Sequence, residues 1–184
     1  MKKVVGLILT FAFLLAVVVP GVGAAQQSIK VGSLFSLTGS LAPYGPPIVN
    51  GAKLAVKQVN KAGGVLGRKL EFIIRDTASA PAVGRDAASK LINLDRVAVI
   101  IGALSSGVTV ASSSITIPAR IVLISPASTS PMLTDLEDDG FVFRTVLSDA
   151  LQGVTQGELA LDRGYKSASV IYVNNPYGKG LAEV

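Results

Sequence analysis

Two loops rich in small hydroxylated residues each follow an apolar stretch of the chain. Residues 97–102 (VAVIIG) lead into residues 104–107 (LSSG), and residues 121–124 (IVLI) lead into residues 125–130 (SPASTS). A continuous run of Val, Ile and Leu bounded by turn residues is typical of a strand buried in a parallel sheet. Ligands of such sheets bind just beyond the carboxyl ends of the strands. The hydroxyls and backbone N–H groups of the two loops therefore predict a binding pocket for a small anion such as a carboxylate.

Ser106 has two interpretations, because it stands where the first loop enters a predicted helix. The unpaired N–H groups and the dipole of a helix N-terminus favour a bound anion. The alternative is that Ser105 or Ser106 serves only as the helix cap. The second loop favours the anion site, because Ser128 and Thr129 follow the adjacent strand and are expected to face the same crevice.

The composition and the glycine-rich motifs give catalysis little support. The chain has no His and no Cys, which removes Ser–His triads, imidazole acid–base chemistry and zinc–thiolate sites. Residues 63–67 (GGVLG) lie between a helix and a strand, the reverse of a dinucleotide-binding turn, and residues 102–107 (GALSSG) lack the spacing of a nucleophile elbow. A calcium loop opening at Asp135 would need a carboxylate where the chain has Val146. We predict no enzyme activity, no cofactor and no metal site.

The first residues of the chain have the three parts of a secretory signal peptide. Lys2 and Lys3 precede an apolar stretch over residues 4–19, and small residues follow Pro20, so that cleavage after Ala24 or Ala25 fits. The alternative is an uncleaved membrane anchor, but the apolar stretch is shorter than the ~20 residues that a spanning helix needs. We take residues 1–24 as a signal peptide and expect a periplasmic or extracellular protein.

The charge does not favour a nucleic-acid partner. The chain has 17 basic and 12 acidic residues, and loss of Lys2 and Lys3 leaves a mature net charge of +3. A nucleic-acid-binding surface is expected to have clustered basic residues with interleaved aromatics. The basic residues of this chain are scattered and form no such run.

Strand and helix patterns alternate along the rest of the chain. The predicted strands are residues 29–36, 69–76, 97–102, 121–124, 141–146 and 168–173. Four helices are predicted here. One ends near residue 62, and the others span residues 81–95, 106–117 and 149–163. This alternation predicts an α/β fold with right-handed βαβ units on one parallel sheet. The chain stops at Val184, just after a further helix opens at Tyr177, so we expect a fragment of a longer protein.

Seven motifs in order resemble one known family. They are residues 29–32 with 37–39 (IKVG, LTG), 59–67 (VNKAGGVLG), 101–102 (IG), 125–129 (SPAST), 143–145 (FRT), 152–153 (QG) and 177–180 (YGKG). Together they resemble the periplasmic substrate-binding proteins of ABC importers, of the Leu/Ile/Val-binding type. The resemblance covers nearly all of residues 29–184.

The resemblance implies a type I clamshell of two α/β lobes that close on a small ligand. Residues 25–148 would form the first, Rossmann-like lobe, and residues 149–184 the start of the second. Carried over to this chain, the hydroxyls and N–H groups of Ser106 and Thr129 would bind the ligand carboxylate, and the Ala127 carbonyl with the Thr129 hydroxyl would bind its ammonium group. The remaining site residues implied are Ser128, lining the pocket, and Tyr44 and Tyr177, forming its walls.

The resemblance also implies a partner, the permease subunits of an ABC importer, to which the bound amino acid or related carboxylate is delivered. In the family the second lobe supplies an acid that pairs with the ligand ammonium, and the sequence assigns no residue to that role. Two alternatives stay open. One is a ligand-sensing domain of a receptor, and the other is an α/β enzyme whose catalytic residues lie outside these 184 residues.

Overall fold

Five parallel strands form a single sheet in the order β2-β1-β3-β4-β5. The computed structural model describes residues 27–184, so the predicted signal peptide lies outside the described residues. The strands are β1 (Ile29–Phe35), β2 (Leu70–Asp76), β3 (Val99–Gly102), β4 (Val122–Ser125) and β5 (Val142–Arg144). They confirm the predicted α/β class, and their bounds lie within three residues of the predicted ones.

Within residues 27–184, five α-helices accompany the strands. They are α1 (Gly45–Lys61), α2 (Pro81–Lys90), α3 (Ser106–Thr116), α4 (Asp149–Asp162) and α5 (Pro176–Ala182). Proline occupies the first turn of α1, α2 and α5, where its missing N–H costs no intrahelical hydrogen bond. A π-helical turn, Leu91–Asp95, continues α2, so the predicted helix over residues 81–95 is present with a changed winding at its end. No helix within residues 27–184 has the length and apolar character needed to cross a membrane.

Helices cover both faces of the sheet. Consecutive strand residues point to opposite faces, so Leu34 packs with Ile100 and Val108 beside α2 and α3, whereas Phe35 packs with Val49 of α1. Burial on both faces explains why the central strands are continuous apolar runs in the sequence.

The sheet order creates a topological switch point between β1 and β3. The chain leaves β1 toward α1 on one face and leaves β3 toward α3 on the other. The loops beyond the two carboxyl ends therefore diverge and leave a crevice between them. This crevice is where the two hydroxyl-rich loops meet.

The predicted strand over residues 168–173 is wrong for the described structure. These residues pair with none of the five strands, and their apolar side chains are exposed, Ile171 almost completely. A strand requires a neighbour for its backbone N–H and C=O groups. Residues 168–173 have no such partner among the described residues, so local β propensity alone does not produce a strand.

The core makes a direct prediction for stability. Leu123 of β4 is completely buried, so we expect Leu123→Ala to lower the free energy of unfolding by about 2–5 kcal/mol through the cavity that it leaves. Leu94→Ala, at a side chain that is 71% exposed, is the matched control and should change stability little. Urea denaturation followed by circular dichroism measures both, and equal losses for the two variants would contradict the assigned core.

Candidate functional site

A cavity of about 440 Å³ lies at the carboxyl ends of the strands. Five of the six residues predicted for the site line it: Tyr44, Ser106, Ala127, Thr129 and Tyr177. They come from the loops after β1 and β4 and from the first turns of α3 and α5, so residues separated by up to 133 positions in the sequence line one cavity. The topology thus brings together groups that no local motif connects.

Ser128 occupies a different place from the one predicted. Its side chain is completely buried and does not line the cavity. The Ser128 hydroxyl lies 2.7 Å from the Thr109 hydroxyl and also donates to the Ala103 carbonyl at 3.2 Å. These two hydrogen bonds fix the loop over residues 125–130 to Ala103 and to α3. Ser128 therefore supports the cavity wall from the interior and is not part of its surface.

The Ser125 hydroxyl joins the two hydroxyl-rich loops. It donates to the Ala103 carbonyl at 2.6 Å, across the gap between β4 and β3. It also accepts the backbone N–H groups of Ala127 and Ser128, at 3.3 and 2.9 Å. One fully buried hydroxyl therefore sets the distance between the loops and satisfies backbone groups that would otherwise be unpaired.

The N-terminus of α3 faces this cavity without a side-chain cap. Ser105 is the N-cap residue, but its hydroxyl makes no capping hydrogen bond, and both Ser105 and Ser106 line the cavity. The Ser106 hydroxyl accepts the Ser130 N–H at 3.3 Å, which leaves its own proton to donate. First-turn N–H groups and a donating hydroxyl are the arrangement that binds a carboxylate.

Thr129 carries a hydroxyl whose direction is set by Asp149. The Thr129 hydroxyl donates to Asp149 Oδ2 at 2.8 Å, and the Asp149 N–H donates to the Thr129 carbonyl at 2.9 Å. A carboxylate can only accept, so the hydroxyl proton is committed to Asp149 and the oxygen lone pairs remain. The Thr129 hydroxyl is therefore an acceptor for any further partner, which suits an ammonium group and not a carboxylate.

Asp149 is the main site residue that the sequence did not predict. It is only 1% exposed and lines the same cavity. In the sequence it looks like an ordinary acidic residue in the first turn of a helix, where the dipole favours negative charge. Only the fold shows that this helix begins against Thr129. The other lining residues that were missed are Ser40, Leu41, Ser79, Leu104, Gln152 and Asn175.

Arg144 holds the loop that carries Thr129. Its guanidinium donates to the carbonyls of Thr129 and Ser130, at 3.2 and 2.8 Å, and also to the Thr134 hydroxyl. Hydrogen bonds from a charged donor are stronger than neutral ones. The end of β5 therefore fixes the backbone of this loop, and this gives a structural role to the arginine of the FRT motif.

Asp76 organises the opposite wall of the cavity. Its carboxylate accepts the N–H groups of Leu37, Thr38 and Ala78 and the hydroxyl of Thr38. Burial acts to raise the pKa of Asp76, but these hydrogen bonds to the charged form outweigh it and the pKa is lowered. The turn after β1 that this carboxylate holds leads directly to Leu41 and Tyr44.

The fold is that of an α/β lobe with a cavity at the carboxyl ends of its parallel strands. Residues 28–184 match the family model described as periplasmic binding protein, so the chain belongs to that family.

Similar proteins include a Leu/Ile/Val-binding protein homolog of Brucella abortus. It is 38% identical over 171 residues, which are 92% of this chain and 45% of the relative. An ABC transporter substrate-binding protein from Desulfitobacterium hafniense in complex with Leu is 30% identical, with a TM-score of 0.71 over 85% of this chain and 45% of that one. A solute-binding protein from Rhodopseudomonas palustris with 3,4-dihydroxybenzoic acid is 26% identical, with a TM-score of 0.76 over 85% and 42%. The chain thus spans less than half the length of these relatives.

The lowered pKa of Asp76 predicts a specific loss of stability in acid. A folded-state pKa below the unfolded value of about 4 gives a stabilisation that is present above pH 4 and lost as the pH falls toward the folded value. Asp76→Asn should therefore flatten the dependence of unfolding free energy on pH below about pH 4. Asp135→Asn, on the exposed acidic turn, is the control and should keep the parent dependence. Chemical denaturation at a series of pH values measures both, and identical curves for Asp76→Asn and the parent would contradict the role of Asp76.

Proposed function

We propose that this chain is the ligand-capturing part of an extracytoplasmic solute-binding protein of an ABC importer, and that it binds an amino acid. The observation that carries the proposal is the position of the Thr129–Asp149 pair in the same cavity as the uncapped N-terminus of α3. The Thr129–Asp149 pair offers a hydrogen-bond acceptor beside a negative charge, and the N-terminus of α3 offers donors and the positive end of the helix dipole. An amino acid matches both, because its ammonium group suits the pair and its carboxylate suits the helix N-terminus.

The site residues have the following proposed roles. The Ser106 hydroxyl and the first-turn N–H groups of α3 bind the ligand carboxylate. The Ala127 carbonyl and the Thr129 hydroxyl accept the ammonium group, while the Thr129 backbone N–H keeps its predicted part in binding the carboxylate. Tyr44 and Tyr177 form walls from opposite sides, each with an apolar face and a polar tip. Because the Thr129 hydroxyl donates to Asp149, we assign that hydroxyl to the ammonium group alone.

Asp149 is proposed as the negative charge nearest to the bound ammonium group within this chain. The sequence assigned no acid to that role. Its carboxylate is buried, where the attraction between charges is stronger than in water. In the relatives, which are more than twice as long, other acids from the rest of the protein are free to contribute as well.

The proposed role in transport depends on capture of the ligand between two lobes. We propose that residues 1–24 direct export, that residues 25–148 form the first lobe and that residues 149–184 begin the second. The ligand favours the closed arrangement because it contacts both, and the closed form is the one presented to the permease subunits. The relatives are substrate-binding proteins by name, which supports a binding role and not a catalytic one.

Ser106 gives the first test of this function. Ser106→Ala should weaken the binding of leucine by about 1.5–3 kcal/mol, roughly ten- to 150-fold, because a hydrogen bond to a charged group is lost. Ser114→Ala is the matched control, since Ser114 is exposed on the same helix and its hydroxyl donates to the Ala111 carbonyl. Isothermal titration calorimetry with leucine, isoleucine, valine and 3,4-dihydroxybenzoate measures affinity and ligand class together. If all four ligands failed to bind the parent chain, the carboxylate-binding proposal would fall.

Asp149 gives a second test, which separates the ammonium group from the carboxylate. Asp149→Asn should weaken leucine by about 1.5–3 kcal/mol and leave its α-hydroxy analogue, which has no ammonium group, nearly unchanged. Asp162→Asn, exposed at the other end of α4, removes the same charge away from the cavity. Calorimetry with both ligands gives the comparison. Equal losses for leucine and the hydroxy acid would show that Asp149 does not recognise the ammonium group.

A further inference from the structure

Helix α5 meets the first part of the chain through two glycines on facing segments. A Cβ atom at Gly180 of α5 would lie 2.9 Å from the Ser130 hydroxyl oxygen and 3.0 Å from Pro131 Cδ. A Cβ atom at Gly107 of α3 would lie 3.2 Å from Pro176 Cδ. Both separations are tighter than a side chain ordinarily accepts, so α5 approaches this closely because neither position carries a side chain.

One hydrogen bond crosses the same contact. The Ser130 hydroxyl donates to the Pro176 carbonyl at 2.9 Å, and Ser130 is completely buried. Ser130 also donates its backbone N–H to the Ser106 hydroxyl. The residue that receives α5 is therefore hydrogen-bonded to a proposed carboxylate-binding residue.

Tyr177 lies beside this contact in the chain. It directly follows Pro176 and lines the cavity together with Asn175. The segment before α5 pairs with none of the five strands, and α5 also contacts α4. The contact at residues 107, 130 and 180 joins α5 to the loops that build the cavity.

We propose that Gly107, Ser130 and Gly180 are positioning residues that seat α5 against the cavity loops and so place Tyr177 over the cavity. The contacts that form the seat are all between protein atoms. A side chain at position 180 displaces α5, and the population able to cover a ligand falls. The consequence for affinity rests on the proposed function, but the seat itself does not.

Helix propensity and the seat predict opposite effects of Gly180→Ala on the stability of α5 in its place. Ala is a better helix former than Gly, so propensity alone predicts that the substitution stabilises the helix. The seat makes it unfavourable, because the added Cβ atom meets Ser130 and the ring of Pro131. Gly157→Ala is the matched control inside α4, where a Cβ atom would have no neighbour within 4 Å.

The direct test is a distance measurement without ligand. The chain has no native cysteine, so spin labels attach only at Lys53→Cys on α1 and Lys179→Cys on α5, two exposed positions. We expect Gly180→Ala to shift or broaden the distance distribution and Gly157→Ala to leave it unchanged. A distribution that stays the same in Gly180→Ala overturns the proposal.

A double variant distinguishes loss of this specific contact from general misfolding. Ser130→Ala removes the oxygen that the new Cβ atom meets, so its effect and that of Gly180→Ala on the label distance should be non-additive. Ser130→Ala combined with Gly157→Ala should be additive. Additive effects in both pairs overturn the proposed contact, even if Gly180→Ala also lowers stability.

Leucine affinity separates this inference from the proposed function. If the parent chain binds leucine, Gly180→Ala should weaken binding about tenfold, as expected when the competent population falls by that factor. An unchanged affinity overturns the link between the seat and ligand coverage. If the parent binds no leucine while the label distance shifts as expected, the seat is supported and the proposed function fails.

Discussion

The site depends on one constraint, the junction that the Ser125 hydroxyl makes between the ends of β3 and β4. Parallel strands place their carboxyl ends at the same edge of the sheet, so the loops after the neighbouring strands β3 and β4 begin side by side. Ser125 donates to the Ala103 carbonyl and accepts two N–H groups of its own loop. Ala103 and Ser128 are buried as well, so the bonds to the Ala103 carbonyl and the Ser128 N–H satisfy backbone groups that water does not reach. Ser106, Ala127 and Thr129 are brought to one cavity on top of this junction.

The polar groups at the cavity include hydroxyls, backbone N–H groups and one buried carboxylate. The described residues place a helix N-terminus and a buried carboxylate at one small cavity, so hydrogen-bond donors and acceptors both line it. Arg144 and Asp76 hold the loops on either side through backbone hydrogen bonds, without lining the cavity themselves. Rigid loops of this kind lower the entropy lost on binding, which is how a small polar site gains affinity.

Much of the fold could be predicted from the sequence, and five of the six residues predicted for the site line one cavity. The apolar runs predicted β3 and β4 because burial on both faces leaves no polar alternation. Hydroxyl-rich loops at the strand ends then indicated the site. Ser128 was placed wrongly at the cavity wall, because the pattern of a loop does not tell which of three neighbouring side chains turns inward. The strand predicted over residues 168–173 failed because strand formation needs a paired neighbour, and propensity does not supply one.

By itself the sequence determined the α/β class, the positions of the five paired strands along the chain, the lack of histidine and cysteine and the two loops that meet at the cavity. These properties are local, because they follow from residue type and from periodicity along the chain. Only the tertiary structure decided that the Thr129 hydroxyl donates to Asp149, twenty positions away, and that α5 lies against Ser130. The physical reason is that a hydrogen bond or a close contact depends on the distance between atoms. Residues far apart in the chain acquire that distance only when the sheet and helices have packed.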